Sequence, residues 1–378
     1  MPCSAITTKP DCSYAAPMAA ANAAESMSRA DSVGTELGML ECVYPDLPGL
    51  SRGFDYCAPG EGIVEECGMQ QITQTVFMVR PASFGFNPET AGSNRFQQAD
   101  TALAADAAQL AQREFDAAVQ ALRSEGIRVI VVDDRLEPRC PDAVFPNNWI
   151  SFHADGTVVL YPMEAPTRRR ERRRDVAEQV AHDSSFAITR WVDLTAHEQA
   201  GRYLEGTGSL VLDHRARVAY ACRSSRTHEA VLQEWCAALG YAAEVFDAMD
   251  PRGAPIYHTN VLMSLGERFV VCAADAVATA DRERVLARLA ATQRDLLTLS
   301  ADEVAGFCGN VLELASWDEN LGDCSILVMS TTARRSFRPD HLARLSAACD
   351  TLLAVPVPTI ERLGGGSIRC MLAEVFAS

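Results

Sequence analysis

Five times along the chain the same order of patterns returns: an amphipathic helix, a short apolar strand, then two more strands. Helices are expected at 102–125, 172–182, 227–239, 281–296 and 340–348, where apolar residues recur with helical spacing. Short apolar runs follow at 127–132, 186–194, 243–246, 297–299 and 352–357. Hairpins are expected at 149–161, 209–222 and 260–272, and a strand pair at 310–314 and 325–330. Gly126 stops the first helix and Asp155-Gly156 turns the first hairpin. The recurrence, at roughly 50–60 residues, is one of pattern and not of sequence, and it signals an array or propeller of similar units. Strands at 75–80 and 367–376 bracket the series, so the two ends of the core can pair and close a ring. A closed ring has no exposed sheet edge. It also brings loops from every unit to the central axis, where a site is expected.

Composition bounds the rest. With 378 residues, 48% hydrophobic and 22% charged, the chain has material for a large core. Residues 1–70 are rich in Ala, Ser, Met, Pro and Gly and read as a partly disordered N-terminal extension, with 43–50 as a docking stretch. The α/β domain is expected over 71–378. A net charge of −16 argues against nucleic acid and anionic membranes as partners. No run of about 20 apolar residues is present to span a bilayer, and the first segment lacks the basic start and apolar core of an export signal. The 13 cysteines are odd in number and mostly lie in apolar runs, as expected of reduced thiols in a cytoplasm. There is no Cys-x-x-Cys and no close histidine pair, so no metal site is expected, and nothing points to a cofactor. The run Arg168–Arg170 with Arg172–Arg174, broken only by Glu171, reads as a solvated helix face. Homo-oligomerisation is left open.

Four polar stretches interrupt the rhythm. Gly364-Gly365-Gly366-Ser367-Ile368-Arg369-Cys370-Met371 places a thiol at the end of a glycine loop. Glycines let main-chain N–H groups converge, and a thiolate and a developing oxyanion can both be held there. The stretch Pro141 to Trp149 contains Asp142 and Asn148 between a strand and its hairpin. Leu204-Glu205-Gly206 stands at a strand entrance, and Tyr257-His258-Thr259-Asn260 opens another hairpin. Taken singly, each is as well read as a turn or a core residue.

Together they resemble the guanidine-modifying enzymes of the pentein superfamily: arginine deiminases, dimethylarginine hydrolases and amidinotransferases. The resemblance covers about residues 71–378 and keeps the order of motifs. It implies a five-bladed, pseudo-fivefold α/β propeller. It also implies Cys370 as nucleophile, His258 as acid and base, and Glu205 as their catalytic partner. Asp142, Asn148, Asn260 and Arg369 match substrate-side positions. Arg226, in Ser225-Arg226-Thr227, matches an arginine that holds the amino acid's carboxylate. The partner implied is a small-molecule amino acid.

Two positions depart from the arginine-processing pattern, because Asn148 and Asn260 stand where aspartates are usual. A guanidinium without its countercharge loses charge-assisted hydrogen bonds of about 1.5–3 kcal/mol each. A neutral ureido group needs one donor and one acceptor, and an amide side chain supplies both. The expected reaction is therefore hydrolysis of citrulline to ornithine, ammonia and carbon dioxide. Deimination of arginine or methylarginine, amidino transfer, and a non-catalytic binding role are the alternatives.

Overall fold

The computed structural model describes residues 70–318 and 322–377. The N-terminal extension expected over 1–70 thus lies outside the described residues, apart from Gln70.

Among the described residues, fifteen strands follow one another in chain order. They are β1 (Thr75–Arg80), β2 (Arg128–Asp133), β3 (Ile150–Phe152), β4 (Thr157–Leu160), β5 (Arg190–Asp193), β6 (Val211–Asp213), β7 (Val218–Cys222) and β8 (Ala242–Phe246). After them come β9 (Met263–Leu265), β10 (Phe269–Cys272), β11 (Asp295–Thr298), β12 (Leu312–Asp318), β13 (Gly322–Ser330), β14 (Thr351–Val355) and β15 (Ala373–Val375). Five longer helices alternate with them: α1 (Ala107–Ser124), α2 (Arg174–Ser184), α3 (Glu229–Leu239), α4 (Thr279–Ala290) and α5 (Pro339–Ala348).

The strands form five sets of three with one connection rule. In β3-β4-β5, β6-β7-β8, β9-β10-β11 and β12-β13-β14 the first pair is antiparallel and the second parallel. Each parallel step crosses through one of the five helices, as parallel neighbours require. The fifth set is assembled from both ends of the domain. β15 runs antiparallel to β1 with Thr75 opposite Val375 and Phe77 opposite Ala373, and β1 runs parallel to β2. The chain therefore closes on itself through its last strand, and a single parallel pairing, Val375 with Phe152, ties this set to β3. The expected five-unit α/β architecture is the one present.

Burial explains the patterning. The β10 run Phe269, Val270, Val271 and Cys272 is wholly buried, with neighbours on both faces, so it lacks polar alternation. α1 buries Ala111, Phe115, Ala118 and Leu122, one stripe at helical spacing. Each such fully buried large side chain contributes about 1.5–3 kcal/mol.

Three expectations need correction. The helix expected over 102–125 is broken, with a first turn at Thr101–Ala104 capped by Asp100 before α1 begins at Ala107. The helix expected over 281–296 stops at Ala290; Gln293 reverses the chain at φ 58°, freeing residues 295–298 to pair with β10. The last strand is only three residues long, and Cys370 stands before it on the tight turn Ile368–Met371. The cause is a helix the apolar pattern did not reveal, Pro358–Gly364, started by Pro358.

Candidate active site

In four of the five sets the segment leading into the first strand is a short helical turn, and these turns meet. Pro146–Asn148 precedes β3, Gly206–Ser209 precedes β6, Thr259–Val261 precedes β9 and Ile368–Met371 precedes β15. The Gly206–Ser209 turn packs on the 146–148 and 259–261 turns, and the 146–148 turn also packs on 368–371. Gly206 permits this approach. Its φ is +46°, and a Cβ there would lie 2.2 Å from the Asn147 carbonyl oxygen.

A small cavity opens among these turns, with Cys370, His258, Asp142, Asn148, Arg168 and Arg226 in its wall. Behind His258 stands Glu205, fully buried. One carboxylate oxygen, Oε2, lies 2.9 Å from His258 Nε2 and 3.3 Å from Arg226 Nη1. The other accepts the Glu164 backbone N–H at 3.1 Å. Burial works against this carboxylate, but Arg226, the His258 hydrogen bond and Arg168 hold it well below the usual range. An ionised Glu205 can only accept, so Nε2 of His258 carries the hydrogen and Nδ1 keeps its lone pair. Burial lowers the imidazole to about 4, with Glu205 opposing. His258 is therefore neutral at rest.

Around the thiol the donors are amides. Asn310 Nδ2 lies 3.2 Å from Cys370 Sγ and also donates to the Asn260 carbonyl at 3.2 Å. Asn260 Nδ2 donates to the Thr207 carbonyl at 3.0 Å and reaches the same sulfur at 3.7 Å.

The Asn148 end of the cavity is governed by Arg168. Its Nη1 donates to Asn148 Oδ1 at 2.7 Å, its Nη2 to the Phe145 carbonyl at 3.1 Å, and a two-point pair binds it to Glu171. Because arginine only donates, the Asn148 oxygen is the bonded atom and its Nδ2 is left free. By the same reasoning the Asn260 carbonyl-bound nitrogen leaves Oδ1 free. Asp142 Oδ2 accepts from Asn87 at 2.7 Å, while its Oδ1 is unpartnered. Burial raises the Asp142 carboxyl; Arg168 opposes this. Asn148 Nδ2, Asn260 Oδ1 and Asp142 Oδ1 are thus buried polar atoms without a partner in the protein. Leaving such groups empty costs about 1–3 kcal/mol each, and a bound polar group would recover it.

The structure brings Cys370, His258, Glu205, Asp142, Asn148, Asn260 and Arg226 to one place. Arg226 is committed to the protein: Nε and Nη2 donate to Ser93 Oγ at 3.0 and 2.7 Å, and Nη2 to the Thr90 carbonyl at 3.0 Å. Arg369 is not brought to this cavity. It donates to the Leu372 carbonyl and Glu374, and lines a separate cavity with His153 and His214. Two residues escaped the sequence reading. Arg168, taken as part of a solvated face, is 2% exposed, and nothing in a run of arginines marks the one that turns inward. Asn310 had a usable signal, since Asn148, Asn260 and Asn310 all stand two or three residues before the first strand of a set. Among the described residues no group of histidine, cysteine and carboxylate side chains is placed to hold a metal ion.

Residues 80–377 match the profile of the family described as N,N dimethylarginine dimethylhydrolase, eukaryotic. The chain belongs to this family. Its fold is that of the pentein-superfamily guanidino-modifying hydrolases. Similar solved structures include the N-terminal domain of ArgZ, a cyanobacterial arginine dihydrolase of the ornithine–ammonia cycle, bound to substrate. It shares 15% identity over 80% of this chain and 98% of that one, with a TM-score of 0.59. Against a longer ArgZ chain without ligand the figures are 15%, 80% and 0.58, but this chain spans only 41% of that protein. A dimethylarginine dimethylaminohydrolase, solved as an adduct with S-methyl-L-thiocitrulline, matches with 14% identity over 80% of this chain and 99% of that one, TM-score 0.55. No curated protein matches the chain significantly in sequence. As a member of this family, the chain shares its pentein frame and carries a cysteine, a histidine and a glutamate in one site within it.

Proposed function

We propose that this family member hydrolyses the C–N bond of a ureido amino acid, citrulline, through a carbamoyl thioester on Cys370. The observation that carries the reading is the free hydrogen-bonding set. Asn148 Nδ2 offers a donor suited to a ureido carbonyl, and Asn260 Oδ1 and Asp142 Oδ1 offer acceptors suited to ureido N–H groups. Charge supports it. Two guanidinium groups, Arg168 and Arg226, stand in the wall, and Glu205, their carboxylate neighbour, is already bound to His258, Arg226 and a backbone N–H. Glu171 is likewise paired, to Arg168, so the buried carboxylates beside the site are already engaged. A cationic substrate would find only Asp142, whose carboxyl burial raises; a neutral substrate needs no such countercharge.

In this mechanism the neutral His258 takes the thiol proton as Sγ adds to the ureido carbon. The carbonyl becomes an oxyanion facing Asn148 Nδ2. The imidazolium, stabilised by Glu205, passes its proton to the δ-nitrogen of citrulline as the C–N bond breaks, and ornithine leaves. Water then adds to the carbamoyl thioester while His258 takes its proton; the C–S bond breaks and the thiol is restored. The carbamic acid released falls apart to ammonia and carbon dioxide.

Incubation of the purified protein with citrulline, arginine and methylarginine, with assay of ornithine, citrulline and ammonia, tests this. Equal amounts of ornithine and ammonia from citrulline are expected, with a carbamoyl adduct on Cys370 by mass spectrometry. Arginine turnover without citrulline turnover overturns the ureido reading. A second reading, arginine or methylarginine hydrolysis, is favoured by one observation: the unpartnered oxygen in the wall belongs to a carboxyl group, Asp142. The names of the similar proteins, arginine dihydrolase and dimethylarginine dimethylhydrolase, agree with it.

A further inference from the structure

The site just described places one further amide, that of Asn310, against the Cys370 sulfur. Asn310 is 2% exposed and sits two residues before β12, in the set next to the one that carries Cys370. Its orientation is determined by its partners. One Nδ2 hydrogen goes to the Asn260 carbonyl, which can only accept, so the second hydrogen of the same nitrogen is directed at Cys370 Sγ, 3.2 Å away. Its Oδ1 lies 3.6 Å from the same sulfur. The side chain can therefore accept from the S–H of a thiol and donate to a thiolate, without moving. Asn260, its own amide fastened to the Thr207 carbonyl, reaches the same sulfur at 3.7 Å.

We propose that Asn310 is a positioning residue for the nucleophile, holding the Cys370 sulfur in place and supplying the N–H that accompanies its change from thiol to thiolate. The proposal rests on Cys370 being the nucleophile and on nothing about the substrate. Hydrogen bonds to charged groups are the strong ones, so an acceptor-only replacement should act on the anionic sulfur more than on the fold. Asn310→Asp keeps the shape, loses the donor and sets a carboxylate against the sulfur. Asn310→Ala removes both atoms, and Asn310→Ser returns a short donor.

The test is alkylation of Cys370 by iodoacetamide in the full chain without substrate, followed across pH, with thermal melts of each variant. Expected for Asn310→Asp is at least a tenfold slower alkylation at pH 7 and a profile displaced to higher pH. Asn310→Ala should show a smaller displacement in the same direction, and Asn310→Ser should return toward the parent. In turnover, kcat should fall with little change in KM. If Asn310→Asp does not fold, the comparison of Asn310→Ala with Asn310→Ser decides. Profiles that coincide with the parent in folded variants overturn the proposal. Because alkylation needs no substrate, this outcome is separate from a failure of the ureido reading, which would alter only the products.

Discussion

Asn148 and Arg168 together decide what the cavity accepts, and neither does so alone. The arginine occupies the amide oxygen and so turns the amide nitrogen toward the ligand. Asn148→Asp would give Arg168 a second ionic partner beside Glu171 and remove the free Asn148 donor. Citrulline kcat/KM should then fall about tenfold or more, the worth of one hydrogen bond, and arginine turnover should rise. Unchanged selectivity in a competition assay would show that this position does not read charge. Glu205→Gln removes the carboxylate that steadies an imidazolium on His258 and leaves Arg226 without its buried partner. A loss of kcat of about a hundredfold or more is expected, measured by ornithine release. The pH profile follows from His258. Lowered to about 4 in the resting protein, it remains neutral through the weakly acidic range. The acid limb of kcat/KM set by this group should accordingly lie near pH 4, well below the ordinary histidine range. Most of these residues were legible in the sequence because each sits in a short polar stretch inside an apolar rhythm. Arg168 was not, because its five arginine neighbours look the same and only the turn at Pro166–Arg169 chooses which points inward.

The turns before the first strands are the elements that make the site, and their glycines have separable tasks. Gly206 needs its positive φ and would place a Cβ on the backbone of Asn147. Gly206→Ala should cost more than about 2 kcal/mol of stability, seen as a lower thermal midpoint. Gly208 has no such backbone requirement; a Cβ there would lie 2.5 Å from Asn148 Nδ2 and 2.8 Å from the His258 ring. Gly208→Ala should therefore fold nearly as well as the parent while losing most of its turnover. A parallel loss of midpoint and activity in both variants would remove the distinction. The helices and hairpins were readable from their periods because each buries one face. Element ends were less so. The stop of α4 at Ala290 answers to the pairing of β11 with β10, and no local pattern announces a partner strand. Likewise Cys370 left the expected strand because the Pro358–Gly364 helix takes up the preceding chain.

For the whole molecule, closure comes through β15, which pairs with β1 and touches β3. A chain ending at Met371 keeps the thiol but leaves the β1 edge, from Thr75 to Phe77, unpaired. It should lose cooperative unfolding and associate in solution, measurable by calorimetry and size-exclusion chromatography. Acid stability is a second property of the assembled fold. Burial lowers His153 to about 4, His214 to about 3 and His258 to about 4. Each folded value lies below the unfolded one, so the stability these groups contribute is present above about pH 6.5 and is lost as pH falls toward 4. Glu171, pushed up to about 8 by burial, works in the opposite sense, its contribution fading as pH rises toward 8. Replacing His214 by Gln should reduce the slope of unfolding free energy near pH 5 by about one proton, or ~1.4 kcal/mol per pH unit. An unchanged slope would mean His214 is not buried neutral.

The five-unit order, the meeting of its two ends and the four polar stretches were all present in the linear chain, since period and composition are local properties. Which arginine faces the ligand, which atoms of Asn148 and Asn260 remain free, and that Asn310 lies against the thiol depend on contacts between units far apart in sequence. Those contacts exist only once the ring has closed, because a hydrogen-bond partner is assigned by proximity in space and no local pattern encodes it.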